Sequence, residues 1–228
     1  MPTVGLGWLA RINARHPWSH NEHFHGWILR HLPARRQSAV DVGCGAGVLT
    51  GQLAGAFVQV TGIDADAGMA AAAAARLADD ARVTIRRCRF EDFAATAGEG
   101  QADLITMVAV LHHLDLEGTL ARIPALLAPG GRLLVVGLAR VDSPSDLLID
   151  LLSAAANPVM GLIRHPRPAR PGGPVAGEPV MPVRDPAATL AQITAAARAR
   201  LPGVTVRRRL FFRYTLRWDK PGSEVMPG

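Results

Sequence analysis

Lysine is nearly missing from this chain: Lys220 is the only one, and every other basic side chain among 25 is arginine. Tyrosine occurs once, as Tyr214, and cysteine twice, as Cys44 and Cys88. Two cysteines cannot build a disulfide scaffold, and these two fall at no metal-ligand spacing, so no metal site is expected. No apolar run approaches the roughly 18 residues that a membrane-spanning helix needs. The N-terminus shows no signal-peptide pattern, so the cytoplasm is the expected compartment. What remains is 49% apolar and 19% charged residues, with 23 Gly and 17 Pro in a chain of 228. That mix excludes wholesale disorder, collagen and coiled coil, and it suffices for one substantial core.

The formal charge of +6 is unevenly spread. Residues 1–114 carry as many acids as arginines, so the whole excess lies in the second half. Between Arg164 and Arg217 only Glu178 and Asp185 oppose the arginines. Arginine in place of lysine, beside abundant Ala, Gly and Pro, is also what the codon usage of a GC-rich genome produces. A solvated face, or attraction of an anionic substrate, is therefore preferred over nucleic acid, which stays as the alternative.

From Ser38 onward, short β-branched or apolar runs at 39–42, 58–63, 83–87, 104–108 and 132–136 alternate with helical stretches at 48–55, 68–77 and 117–127. This rhythm predicts βαβ units and a parallel sheet covered on both faces. Asp66 is the N-cap candidate of the second helix, whose six consecutive alanines, Ala70–Ala75, favour helix and allow close packing. After Val136 the rhythm breaks. Residues 143–163 read as an amphipathic helix, and prolines at 166, 168, 171, 174, 179, 182 and 186 then forbid a long helix or a central strand. Residues 142–186 thus read as an insertion, a connector or a lid. A helix over 187–200 follows, then a hairpin from 204–210 and 214–219 with almost no loop. Ahead of the first strand, residues 1–37 form a cap with a helix over His20–Leu32, where Phe24, Trp27, Ile28 and Leu32 make an apolar stripe.

The richest segment runs Asp41-Val42-Gly43-Cys44-Gly45-Ala46-Gly47 between a strand and a helix. Glycines in such a turn permit positive φ and let a ligand touch the backbone, and the helix behind them offers free N–H groups. Asp64 ends the next strand, where a carboxylate can accept from vicinal ribose hydroxyls. A dinucleotide fingerprint requires a third glycine where this chain has Val48, so a nicotinamide oxidoreductase is disfavoured; no Gly-Lys-Ser/Thr of a Walker loop follows either. Asp41 would counter an amino group and repel a pyrophosphate. A ligand with ribose, adenine, a cationic tail and no phosphate fits these groups. S-adenosylmethionine is such a ligand.

At these positions the chain resembles a class I S-adenosylmethionine-dependent methyltransferase. Four ordered blocks carry the resemblance: Asp41–Gly47, Gly62–Asp64, Asp103–His113 and Leu127–Val136. It implies an α/β, Rossmann-like domain over 38–228 with a seven-stranded sheet in the order 3-2-1-4-5-7-6, strand 7 antiparallel, the closing hairpin supplying strands 6 and 7. It further implies that Asp41 and the backbone of Gly43, Cys44, Gly45 and Gly47 hold the methionine moiety, and that Asp64 holds the ribose. Ala65 and Met69 would flank the adenine, with Glu91 or Asp92 (Asp92 preferred) receiving its amino group beside Phe93. Val108 and Ala109 would touch the cofactor from the end of strand 4. Cys44 has nothing beside it to activate a thiolate and reads as filler.

Methyl transfer is an in-line displacement, so alignment dominates, and a base is needed only where the acceptor loses a proton. His112 and His113 follow strand 4 and are the expected base or acceptor contacts, His112 first. No Asn-Pro-Pro-Tyr block for exocyclic base amines follows that strand, and no cysteine trio suits arsenic or thiol chemistry. The expected activity is methylation of a small molecule on O, N or C in bacterial metabolism, by a monomer or homodimer. RNA or protein methylation, or a repurposed S-adenosylmethionine-binding protein, are the alternatives. His20, His23, Phe24, Trp27 and His31 share one helix face. From this, His20 or His23 is expected to reach the cavity of His112, with Trp27 as its wall; a zinc site there lacks a carboxylate or cysteine ligand.

Overall fold

The computed structural model describes residues 20–142 and 185–222, so the helix expected over 143–163 and all but the ends of the lid expected over 142–186 lie outside the described residues. The chain order is α1 (His20–Arg30), β1 (Ser38–Val42), α2 (Val48–Ala54), β2 (Gln59–Asp64), α3 (Ala67–Arg76), β3 (Val83–Arg87), α4 (Phe90–Thr96) and β4 (Ala102–Val108). A single 3-10 turn (Leu111–His113) precedes α5 (Leu116–Leu126), β5 (Leu127–Gly137), α6 (Leu190–Arg200), β6 (Thr205–Arg208) and β7 (Tyr214–Asp219). Seven strands form one sheet in the order β3-β2-β1-β4-β5-β7-β6. The five strands β1 to β5 are parallel, and β7 runs antiparallel between β5 and β6. This is the topology that the resemblance implies.

Alternation along the strands divides the core. Leu133 and Val135 face one side with Val40, Ile105 and Met107, where Phe90 and Phe93 of α4, Leu120 and Ile123 of α5 and Ile193 of α6 pack. Leu134 and Val136 face the other with Ala39, Val60 and Leu104, under Phe24 and Ile28 of α1 and Leu49 and Leu53 of α2. Period-2 side chains between two helix layers are what a doubly wound sheet requires. The lone lysine closes α5: Lys220 Nζ donates to the carbonyls of Pro124 and Leu127, both at 2.7 Å. A cation on these last carbonyls complements the helix C-terminus.

Three local features differ from the sequence reading. β5 begins at Leu127, five positions before the apolar run, because Ala102 pairs with Leu127 while Leu104 pairs with Arg132 and the segment between bulges out. Gly130, at φ +74°, supplies the left-handed turn in that bulge. The hairpin loop spans Arg209–Arg213, closed by Arg209 N–H donating to the Arg213 carbonyl at 2.8 Å. Phe211 and Phe212 both take φ +61° there, an uncommon state for bulky residues. Burial of Phe211, whose ring meets the edge of His23 at 5.2 Å, offsets that cost. Finally, α4 was legible only as a cap at Glu91-Asp92, since seven residues hold no periodicity.

Candidate active site

The C-terminal ends of β1, β2, β3 and β4 meet at the point where strand order reverses, between β1 and β4. Such a switch point opens a crevice. From β1 the chain turns through Gly43 (φ +67°), Gly45 (+53°) and Gly47 (+78°). The loop leans on β2, with Gly43 N–H and Cys44 N–H both donating to the Ile63 carbonyl, at 2.8 and 3.0 Å. A Cβ at Gly43 would stand 2.6 Å from Val110 Cγ2. Gly47 has a different task. It precedes α2, and a Cβ there would meet Ala73 Cβ at 3.1 Å, so glycine and the alanine run together let α2 and α3 close up.

Asp64 is fixed by the backbone. Its Oδ2 accepts from Gly45 N–H and its Oδ1 from Asp66 N–H, each at 2.9 Å. Each carboxylate oxygen retains a second acceptor direction. Asp66 caps α3 by accepting from Met69 N–H at 2.9 Å, as the sequence predicts.

Asp41 points elsewhere. It faces the α1–α2 layer, opposite Thr106 on β4, and accepts from Thr106 Oγ1 at 2.8 Å and from Thr50 Oγ1 at 2.7 Å. Burial pushes its carboxyl up to about 6, against an ordinary value of 3.8, and Asp64 nearby adds to the rise. The folded protein therefore binds a proton that the unfolded chain has released, so this site costs stability as pH rises from about 4 to 6. A shift of this size corresponds to ~3 kcal/mol. Asp41→Asn is expected to gain about that much on the wild type between pH 4 and 7.5, read by urea denaturation at both pH values. A stability difference that does not change with pH would contradict a buried carboxyl with a raised pKa.

A cavity of about 420 Å³ lies over the strand ends. Of the residues named from the sequence, Gly43, Gly45, Asp64, Ala65, Met69, Glu91, Val108, Ala109 and His113 line it. Ala109 sits at φ +54° immediately after β4, its N–H donating to the Val136 carbonyl at 2.7 Å. A non-glycine residue held in this region beside a cavity is a place where strain and function coincide.

Several residues expected in the site lie outside this cavity wall. Asp92 is exposed and outside the wall, whereas Glu91 is in it; one residue of helix rotation separates the two. Phe93 points into the core. Asp41 and Gly47 serve the loop from beneath, and the Cys44 thiol packs 3.2 Å from the position of a Gly62 Cβ, its pKa raised by burial. His112 lines a separate chamber beyond Leu114. His23 packs between Phe24 and Phe211 and borders none of these cavities, and the side chain of His20 lies outside the described set. Trp27 walls a different cleft with His31, Arg207, Arg209 and Arg217, which gathers part of the arginine excess. Among the described side chains of α1 the buried histidine is His25, 6% exposed, its pKa lowered by burial. Cys88, Arg89 and Phe90, also in the wall, are not among the site residues that the sequence suggests. Their position directly after β3 was the available signal.

Comparison with known proteins agrees with this geometry. The methyltransferase domain family matches residues 40–133. An uncharacterized methyltransferase of Mycobacterium tuberculosis is 30% identical over 209 residues, covering 90% of this chain and 98% of the relative. The chain belongs to the class I methyltransferase family. A ubiquinone biosynthesis O-methyltransferase of Stutzerimonas stutzeri is 33% identical over 108 residues, 46% of each chain. The fold of this methyltransferase is shared with an S-adenosylmethionine-dependent methyltransferase from Aquifex aeolicus, at a TM-score of 0.56 and 15% identity, covering 92% and 97% of the two chains. The residues fit the cofactor that such folds take. The loop is bare of Cβ atoms where one would collide with Val110, a fixed carboxylate ends β2, and apolar Met69 and Phe90 complete the wall.

Proposed function

We propose that this methyltransferase moves a methyl group from S-adenosylmethionine to a small-molecule acceptor, with oxygen the favoured site. The observation that carries the reading is the Asp64 carboxylate, held by two backbone N–H groups in the same wall as Gly43 and Gly45. Asp64 would accept from the ribose hydroxyls, Glu91 from the adenine amino group, and Ala65, Met69 and Phe90 would flank the ring. When bound, S-adenosylmethionine supplies a methyl group made electrophilic by its sulfonium. Asp41 acts from below, fixing β1 and the first turn of α2 through Thr106 and Thr50. Likeness to ubiquinone biosynthesis O-methyltransferases supports a hydroxyl acceptor. Such an acceptor gives up a proton, and His113 in the cavity wall, with the His112 ring 4.1 Å from it, would take it.

In this reading residues 1–37 and 142–186 supply acceptor specificity. The feature favouring a nucleic-acid acceptor is the cleft of Arg207, Arg209 and Arg217, and it shares no wall residue with the cofactor cavity. The small molecule is therefore preferred. An acceptor screen read by gain of one methyl in mass spectrometry tests the proposal. Once an acceptor is found, His112→Ala or His113→Ala is expected to keep cofactor affinity and lose turnover by roughly 10²–10⁴-fold. Full activity in both variants would remove the histidines from the chemistry.

A further inference from the structure

Beyond Leu114, which it shares with the cofactor cavity, lies a chamber of about 120 Å³. Its described wall is mostly apolar (Leu111, Leu116, Leu138 and Ile193 among others), with His112 and Tyr214 the residues in it that carry polar side-chain atoms. Tyr214 is the only tyrosine of the chain and is 1% exposed. It opens β7, opposite Gly137 at the end of β5. A Cβ on Gly137 would stand 2.4 Å from the phenolic oxygen, so glycine there is what lets the ring lie across the strand. The rest of the ring is gripped by the core that holds Leu216 and Trp218.

A buried phenol ordinarily donates a hydrogen bond, because leaving the group unsatisfied costs stability. Tyr214 is itself one of the residues of the chamber wall. Burial raises its pKa, so it is a neutral donor across the physiological range. In size the chamber is close to the dry cavity of about 150 Å³ that accepts benzene.

We infer that this chamber receives one ring of the methyl acceptor, and that Tyr214 donates a hydrogen bond to an oxygen carried by that ring. The inference rests on the proposed function, since it makes the chamber the acceptor's seat beside the cofactor. It narrows the acceptor to a small aromatic or similarly flat apolar ring bearing oxygen. Among the described residues the wall offers such a ring no carboxylate and no guanidinium to pair with a charged acceptor group. Tyr214 is a binding and positioning residue in this assignment, and His112 is the titratable group on the same wall.

The test uses phenol and toluene as probes, titrated by ligand-observed NMR into the full chain, with and without S-adenosylhomocysteine. Tyr214→Phe removes one oxygen and keeps the ring that fills the core. Phenol is expected to bind about five- to tenfold more weakly to Tyr214→Phe than to the wild type, while toluene binds both alike. Leu138→Phe, which narrows the chamber, is expected to weaken both probes. S-adenosylhomocysteine affinity should stay within twofold in both variants. Equal phenol affinity in wild type and Tyr214→Phe would overturn the assignment, as would phenol binding that Leu138→Phe leaves untouched. Loss of S-adenosylhomocysteine binding by the wild type itself would instead defeat the proposed function, and the probe titrations without it would still decide the chamber.

Discussion

Asp64→Ala is expected to weaken S-adenosylhomocysteine binding by a hundredfold or more. Two charge-assisted hydrogen bonds to ribose, each worth about 1.5–3 kcal/mol, are removed at once. The variant also frees Gly45 N–H and Asp66 N–H, which Asp64 holds at 2.9 Å, so the loop loses its tie to β2. Asp64→Asn separates the two effects. Its carbonyl oxygen can keep one backbone bond while the charge is gone, so its affinity should fall between those of wild type and Asp64→Ala. Isothermal titration with the three proteins reads the series directly. Unchanged affinity in Asp64→Ala would remove the residue from the cofactor site.

Gly43→Ala is expected to be the most damaging single methyl that the site can receive. At φ +67° an alanine pays roughly 1–2 kcal/mol for the left-handed region. Its Cβ would also lie 2.6 and 2.7 Å from Val110 Cγ2 and Cβ, and a β-branched side chain has few rotamers to escape into. With overpacking added, a loss of about 3 kcal/mol follows, or a fall in Tm of roughly 6–12 °C. Gly130→Ala isolates the backbone part, because Gly130 shares the positive φ and a Cβ there meets nothing within 4 Å. Its Tm should fall by no more than about 4–8 °C. Equal losses in the two variants would mean that the contact with Val110 is not limiting.

Much of the fold was legible because its signals are local. A strand end, a glycine turn and a helix start occupy adjacent residues at 41–50, and the Asp66 cap is a three-residue interaction. The positions of Asp64 and of His113 follow from topology, since parallel strands deliver their C-terminal ends to one edge. What the sequence concealed depends on contacts between distant segments. Asp41 reads as a ligand group until Thr106, 65 residues away, is placed opposite it. The choice between Glu91 and Asp92 depends on the rotation of a two-turn helix. Tyr214 looks like any first residue of a strand, and its importance emerges only when Gly137 is found beneath its ring. On α1 the apolar stripe packs on the core through Phe24 and Ile28, with Trp27 and Leu32 against it, whereas the burial of His25 between elements distant in sequence has no local signal.

The most direct measurement is calorimetric titration of the full chain with S-adenosylhomocysteine and, in parallel, with NADH. One site per chain at micromolar strength for the first ligand, with no heat from the second, is the expected result. Binding of NADH without binding of S-adenosylhomocysteine would contradict the assignment of the Gly43–Asp64 cavity.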